Sequence, residues 1–91
     1  MFKYTIKVEV SAESSKVGAV VTSGVTTNVE EDLFDASLGK VLYAIESMGY
    51  PFTTDEIYQS AIKAFNNSSI STRYIVIFSN DILKVSVRRF S

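Results

Sequence analysis

Two apolar stripes at helical spacing, joined across Gly49-Tyr50-Pro51-Phe52-Thr53, constrain this chain more than any other feature. Phe34, Leu38, Val41, Ile45 and Met48 follow one another at intervals of four, three, four and three residues, and Leu42 and Ala44 widen the stripe. On a helix of about 3.6 residues per turn these positions share one face. Asn28 offers a side-chain oxygen to cap the helix start, with Glu31 three residues on in the capping-box position. Gly49 can take the left-handed conformation that ends a helix, and Pro51 resists continuing one. Thr53 then caps a second helix, with Glu56 as its reciprocal partner and Phe52 packing on Ile57 as a hydrophobic staple. The second stripe is Ile57, Ala61, Ile62 and Phe65, with Tyr58 beside it. So short a connection makes the helices neighbours, either as an antiparallel hairpin or crossing steeply.

Strand patterns flank this helical unit. Phe2, Tyr4, Ile6, Val8 and Val10 alternate with Lys3, Thr5, Lys7 and Glu9, which predicts a strand with one face on a core and one in water. Ser11 to Lys16 reads as a polar loop. Val17 to Val29 is rich in Val, Thr, Ser and Gly, and Ser23-Gly24 could turn it into a middle hairpin of Val17 to Thr22 and Val25 to Val29; the alternative is a mobile flap. Asn66 to Ser69 marks a loop. The expected fold is therefore one α+β domain over residues 1–91: an antiparallel sheet of N-terminal strand, middle hairpin and C-terminal hairpin, packed on two helices.

The C-terminal hairpin, Arg73 to Phe78 and Ile82 to Arg89, is expected to turn at Asn80-Asp81, since both residue types tolerate positive φ. Setting Ser79 opposite Ile82 pairs Phe78 with Leu83, Val76 with Val85 and Tyr74 with Val87. With Tyr4, Ile6 and Val8 these would make the sheet's inner face. The same register places Ile77 opposite Lys84, Ile75 opposite Ser86 and Arg73 opposite Arg88 on the other face, with Arg89 nearby. Like charges directly opposite are destabilising. Arg73, Ile75, Ile77, Lys84, Arg88 and Arg89 are accordingly the candidate binding residues, an apolar centre with a basic rim. Three occupants are open for that face: an intramolecular cover, a partner or second copy, and a small anion.

Composition excludes much chemistry. The chain has no cysteine and no histidine, so disulfides, thiol nucleophiles, thiolate metal sites and the commonest general base are all missing. No serine–lysine motif stands in for them, and the four glycines are too dispersed for a phosphate-cradling loop. Asp55 and Glu56 complement a helix start, as do Glu30, Glu31, Asp32 and Asp35, whose spacing matches no calcium loop. The expectation is a protein with no catalytic residues, no cofactor and no metal. A net charge of −1 offers no bulk attraction to nucleic acid or anionic membrane. The N-terminus lacks the apolar core of a signal peptide and no apolar run spans a membrane, which predicts a cytoplasmic protein.

Val41-Leu42-Tyr43-Ala44-Ile45, followed by Gly49-Tyr50-Pro51-Phe52-Thr53-Thr54-Asp55-Glu56-Ile57, resembles the first two helices of winged-helix domains. That resemblance covers the helical pair and implies nucleic-acid binding, with the closing hairpin as wing and Arg73, Lys84, Arg88 and Arg89 approaching phosphates. It also implies a recognition helix next, where Ser71 to Phe78 is β-branched and aromatic and reads as strand. The expected function is instead a small non-catalytic accessory or inhibitory protein of the kind viruses and mobile elements encode. It would bind a protein partner or assemble with itself, homodimer included, and a small-ligand binder is the third reading.

Overall fold

The computed structural model describes residues 2–14, 19–49, 53–68 and 73–90, and between 11 and 23 the backbone alone. Strands β1 (Lys3–Ser14) and β2 (Ala19–Glu30) lead through a 3₁₀ turn (Glu31–Leu33) into helices α1 (Phe34–Ser47) and α2 (Thr54–Asn66). Strands β3 (Tyr74–Ser79) and β4 (Leu83–Arg89) close the chain. The strands form one antiparallel sheet in the order β2-β1-β4-β3. Both helices pack on one face, α1 over β1 and β2 and α2 over β3. The expected α+β architecture, with its N-terminal strand and C-terminal hairpin, is the one observed. No third helix separates α2 from β3 among the described residues, so the winged-helix order is not followed.

The middle hairpin is corrected. Val25 to Val29 belongs to a single strand that passes through Ser23 and Gly24 without turning and pairs with β1 over twelve positions, Lys3↔Glu30 to Ser14↔Ala19. Ser11 to Ser14, expected as loop, extends β1; residues 15–18 lie outside the described set. A ladder of this length satisfies more backbone groups than a short ribbon folded on itself. Gly24 suits the ladder for a local reason. A Cβ there would lie 3.1 Å from the Val8 carbonyl oxygen.

Helix boundaries follow from the same extension. Asn28, expected as a cap, sits in β2, where its Oδ1 accepts from the Thr5 hydroxyl at 2.8 Å. The Glu31 amide donates to the Phe2 carbonyl at 3.0 Å, and α1 begins three residues later. Gly49 ends α1 with φ 98°, as its sequence position implied. Thr53 occupies the cap position of α2 without a side-chain cap bond, while the Thr54 hydroxyl reaches back to Glu46 Oε2 at 2.6 Å and ties the two helices together. Tyr50, Pro51 and Phe52, with the expected staple, fall outside the described residues.

The core lies between helices and sheet. Tyr4, Ile6, Val8 and Val10 of β1 and Leu83, Val85 and Val87 of β4 bury against Phe34, Leu38, Leu42 and Ile45 of α1 and Ile57 and Ala61 of α2. Val41, Tyr58, Ile62 and Phe65 pack at the margin, whereas Met48 is exposed. Phe34 and Phe65 stack at 4.0 Å, and both meet the Tyr4 ring edge-on, at 5.8 and 5.3 Å. This aromatic trio joins one strand and both helices. Edge-to-face pairs of this kind add about 0.5–1.5 kcal/mol each beyond burial.

The C-terminal hairpin departs from the expected register in two steps. Asn80 Oδ1 accepts from the Ile82 and Leu83 amides at 2.8 and 2.7 Å, and the Asn80 amide donates to the Leu83 carbonyl at 2.9 Å. The loop is therefore longer than two residues, and Ser79 pairs with Lys84 in place of Ile82. That slide of two leaves every side chain on its expected face. A bulge between Val76 and Phe78 then shifts the register by one, which exchanges faces beyond it. Ile75 pairs with Val87 and turns inward, Ile77 is 3% exposed, and Tyr74 and Val76, expected inside, stand outside.

Candidate interaction surfaces

The six residues singled out by sequence are not one surface. Ile77 is buried in the core and Ile75 packs half-buried against it, so neither is the apolar centre of an exposed patch. The bulge is the physical reason. Arg88 faces Tyr74 across the ladder and not Arg73, so the expected like-charge pair does not form. Arg73 is exposed before β3, where its carbonyl accepts from the Arg89 amide at 2.8 Å. Arg89 shares the inner face with Tyr4 and holds its guanidinium 4.5 Å from the Phe2 ring centroid. Lys84 and Arg88 remain together on the outer face.

Among the described residues that outer face carries no helix, and the exchange of faces has given it a new centre. Tyr74 and Val76 are 48% and 39% exposed. Arg88 lies 5.7 Å from the Tyr74 ring centroid, within cation–π reach. Ser86, between Lys7 and Val76 in the registers, is 3% exposed although it belongs to this face. A depression of about 350 Å³ is lined by Thr5, Lys7, Glu9, Tyr74, Ser86 and Arg88. Lys7 and Glu9 approach to 3.7 Å as an exposed ion pair, of a kind worth little to stability. Three cations, Lys7, Lys84 and Arg88, thus surround an apolar centre against one carboxylate.

Elsewhere the chemistry is thin. Glu30, Glu31, Asp32 and Asp35 are exposed at the β2–α1 junction, and no cluster among the described residues has the makings of a metal site. The Tyr4 hydroxyl is pushed above the ordinary tyrosine value of 10.0 chiefly by burial and secondarily by the Glu31 carboxylate, with Arg89 opposing. A wide hollow along α2, between Gln59 and Asn67, is lined mainly by outward polar side chains. No helix of the described residues is long and apolar enough to cross a membrane.

The edges of the sheet differ more than its faces. β3 is short and bulged, two devices that keep an edge from pairing with another chain. β2 is twelve residues long, and Ala19 to Val29 contains neither charge nor proline. That run was legible in sequence; its position at an edge was not. Tyr74 and Val76 escaped the sequence because Tyr74-Ile75-Val76-Ile77-Phe78 is apolar at every position, so alternation could not say which set faces in.

Fold and surfaces define a two-layer α+β protein, a helical pair on one face of a four-stranded antiparallel sheet. Compared with protein-family models, curated proteins and solved structures, the chain matches none of them.

Proposed function

We propose that this is a small non-catalytic protein that binds an acidic protein partner through the outer face of its sheet, as an accessory or inhibitory factor in the cytoplasm. One observation carries the reading: Tyr74 and Val76 stand exposed on an uncovered face beside Lys7, Lys84 and Arg88. An apolar centre within a charged rim is the anatomy of a non-obligate interface, and aromatic and arginine side chains are its usual anchors. The rim's excess of cations favours an acidic surface, whose approach it would speed. The non-catalytic part rests on composition, since the chain offers neither histidine nor cysteine to activate a reacting group.

Affinity capture from the native cell, with the wild-type chain and a Lys84→Glu/Arg88→Glu variant as baits, tests this. An acidic protein recovered by the wild type and depleted at least about tenfold by the reversal, ~1.4 kcal/mol, supports it. A partner held equally by both baits, or binding to duplex nucleic acid instead, contradicts it. Circular dichroism of the variant confirms that the fold is kept.

A further inference from the structure

We propose that the free edge of β2 pairs antiparallel with β2 of a second copy about a two-fold axis at Val25, joining two four-stranded sheets into one. This rests on a different surface from the outer face, so the two proposals can fail separately.

Three observations carry it. The first is the contrast between edges. β2 has none of the devices that blunt an edge, with no lysine, proline or bulge between Ala19 and Val29, while β3 has two. With only one edge open, strand pairing closes at two copies in place of propagating as a filament.

The second is a row of side chains that stops short. Phe78, Val85, Val8 and Val25 are successive cross-strand partners over all four strands. Val8 and Val85 are fully buried, yet Val25, at the open end, is 36% exposed. A two-fold axis perpendicular to the sheet keeps inner faces matched only when a residue lies opposite its own copy. Val25 opposite Val25 continues the apolar row from one copy into the other. The same register sets Val29 opposite Val21 and Glu30 opposite Val20, so no like charges meet.

The third is the ribbon. β4 covers β1 only from Tyr4 to Val10, leaving Ser11–Ser14 and Ala19–Thr22 as two strands alone. Two-stranded ribbons are marginal in water. Twelve residues of strand span roughly 40 Å, which accounts for a long axis of 46 Å against 21 and 20 Å across. In the proposed pairing residues 20–22 of each copy's ribbon lie against residues 28–30 of the other, and the ribbon gains a third strand there.

The absence of native cysteine makes the test clean. Opposite residues place their Cβ atoms about 4.5–5.5 Å apart, so Val25→Cys should form a disulfide across the axis under added oxidised glutathione. Tyr43→Cys, at a more exposed position on α1, should not. Light scattering should give the wild type twice 10.1 kDa, Val25→Lys should return it to the single mass, and Lys84→Glu/Arg88→Glu should remain dimeric. A wild type of single mass at all concentrations, or a Val25→Cys chain that crosslinks no faster than Tyr43→Cys, overturns the inference. If Val25→Lys proves misfolded by circular dichroism, the wild-type mass and the two cysteine variants decide.

Discussion

The two hairpins of this sheet solve the same problem differently. β1 and β2 pair in one unbroken register over twelve positions, whereas β3 and β4 change register within six residues. The long hairpin is regular because one of its strands alternates strictly, so a slip of one would carry Tyr4, Ile6, Val8 and Val10 into water. The short hairpin has apolar residues at every position of β3 from Tyr74 to Phe78, so pattern does not choose its register. Loop and bulge do. The lesson is that a surface can be set by backbone irregularity: a single extra residue in β3 moved Tyr74 and Val76 out and two isoleucines in.

Adjacent residues of β3 should respond most unequally to truncation. Ile77→Ala should cost about 2–5 kcal/mol, as truncation in a packed core does, and Val76→Ala less than about 1 kcal/mol. Denaturant unfolding of both variants checks this, and the reverse order would restore the unbulged register. Next in size is Asn80→Ala, which removes two acceptor bonds to the Ile82 and Leu83 amides. At ~0.5–1.5 kcal/mol per bond, a partly exposed loop should lose about 1–2 kcal/mol in the same measurement. β1 and β2 contain no such side-chain anchor in their described ladder, and truncating Asn28, bonded only to the exposed Thr5 hydroxyl, should cost less.

The smallest effect is expected where the hairpins meet. Tyr4 pairs with Val29 on one side and Arg89 on the other. Its hydroxyl is raised above 10.0 in the folded chain, so folding favours the neutral form. That contribution is fully present below pH 10 and is lost as the pH rises through the folded value. Thermal melts of wild type and Tyr4→Phe should therefore run parallel near neutrality and converge or cross only at alkaline pH. A wild type no more alkali-sensitive than Tyr4→Phe would remove burial of this hydroxyl from the account.

Legibility in the sequence followed the strength of local signals. Helix stripes, the Gly49 terminus and the alternating N-terminal strand were readable because each depends on neighbours within a turn or a pleat. The reach of β2 was not. Ser23-Gly24 has the chemistry of a turn, and only the availability of β1 as a pairing partner, a tertiary fact, keeps it extended. Asn28 has the chemistry of a cap and is held in strand for the same reason. Of the six candidate site residues, Lys84 and Arg88 stand on the free face, Ile75 and Ile77 were displaced by the bulge, Arg73 precedes β3 without facing Arg88, and Arg89, next to Arg88 on β4, shares the inner face with Tyr4.

Amide hydrogen exchange along the two edge strands, measured as a function of protein concentration, tests most directly the claim that one edge is open for pairing and the other closed. Amides within Ala19–Glu30 should exchange more slowly as concentration rises, Val25→Lys should abolish this dependence, and Tyr74–Ser79 should be indifferent to concentration. Exchange in β2 that ignores concentration, or protection that grows on β3 instead, would contradict it.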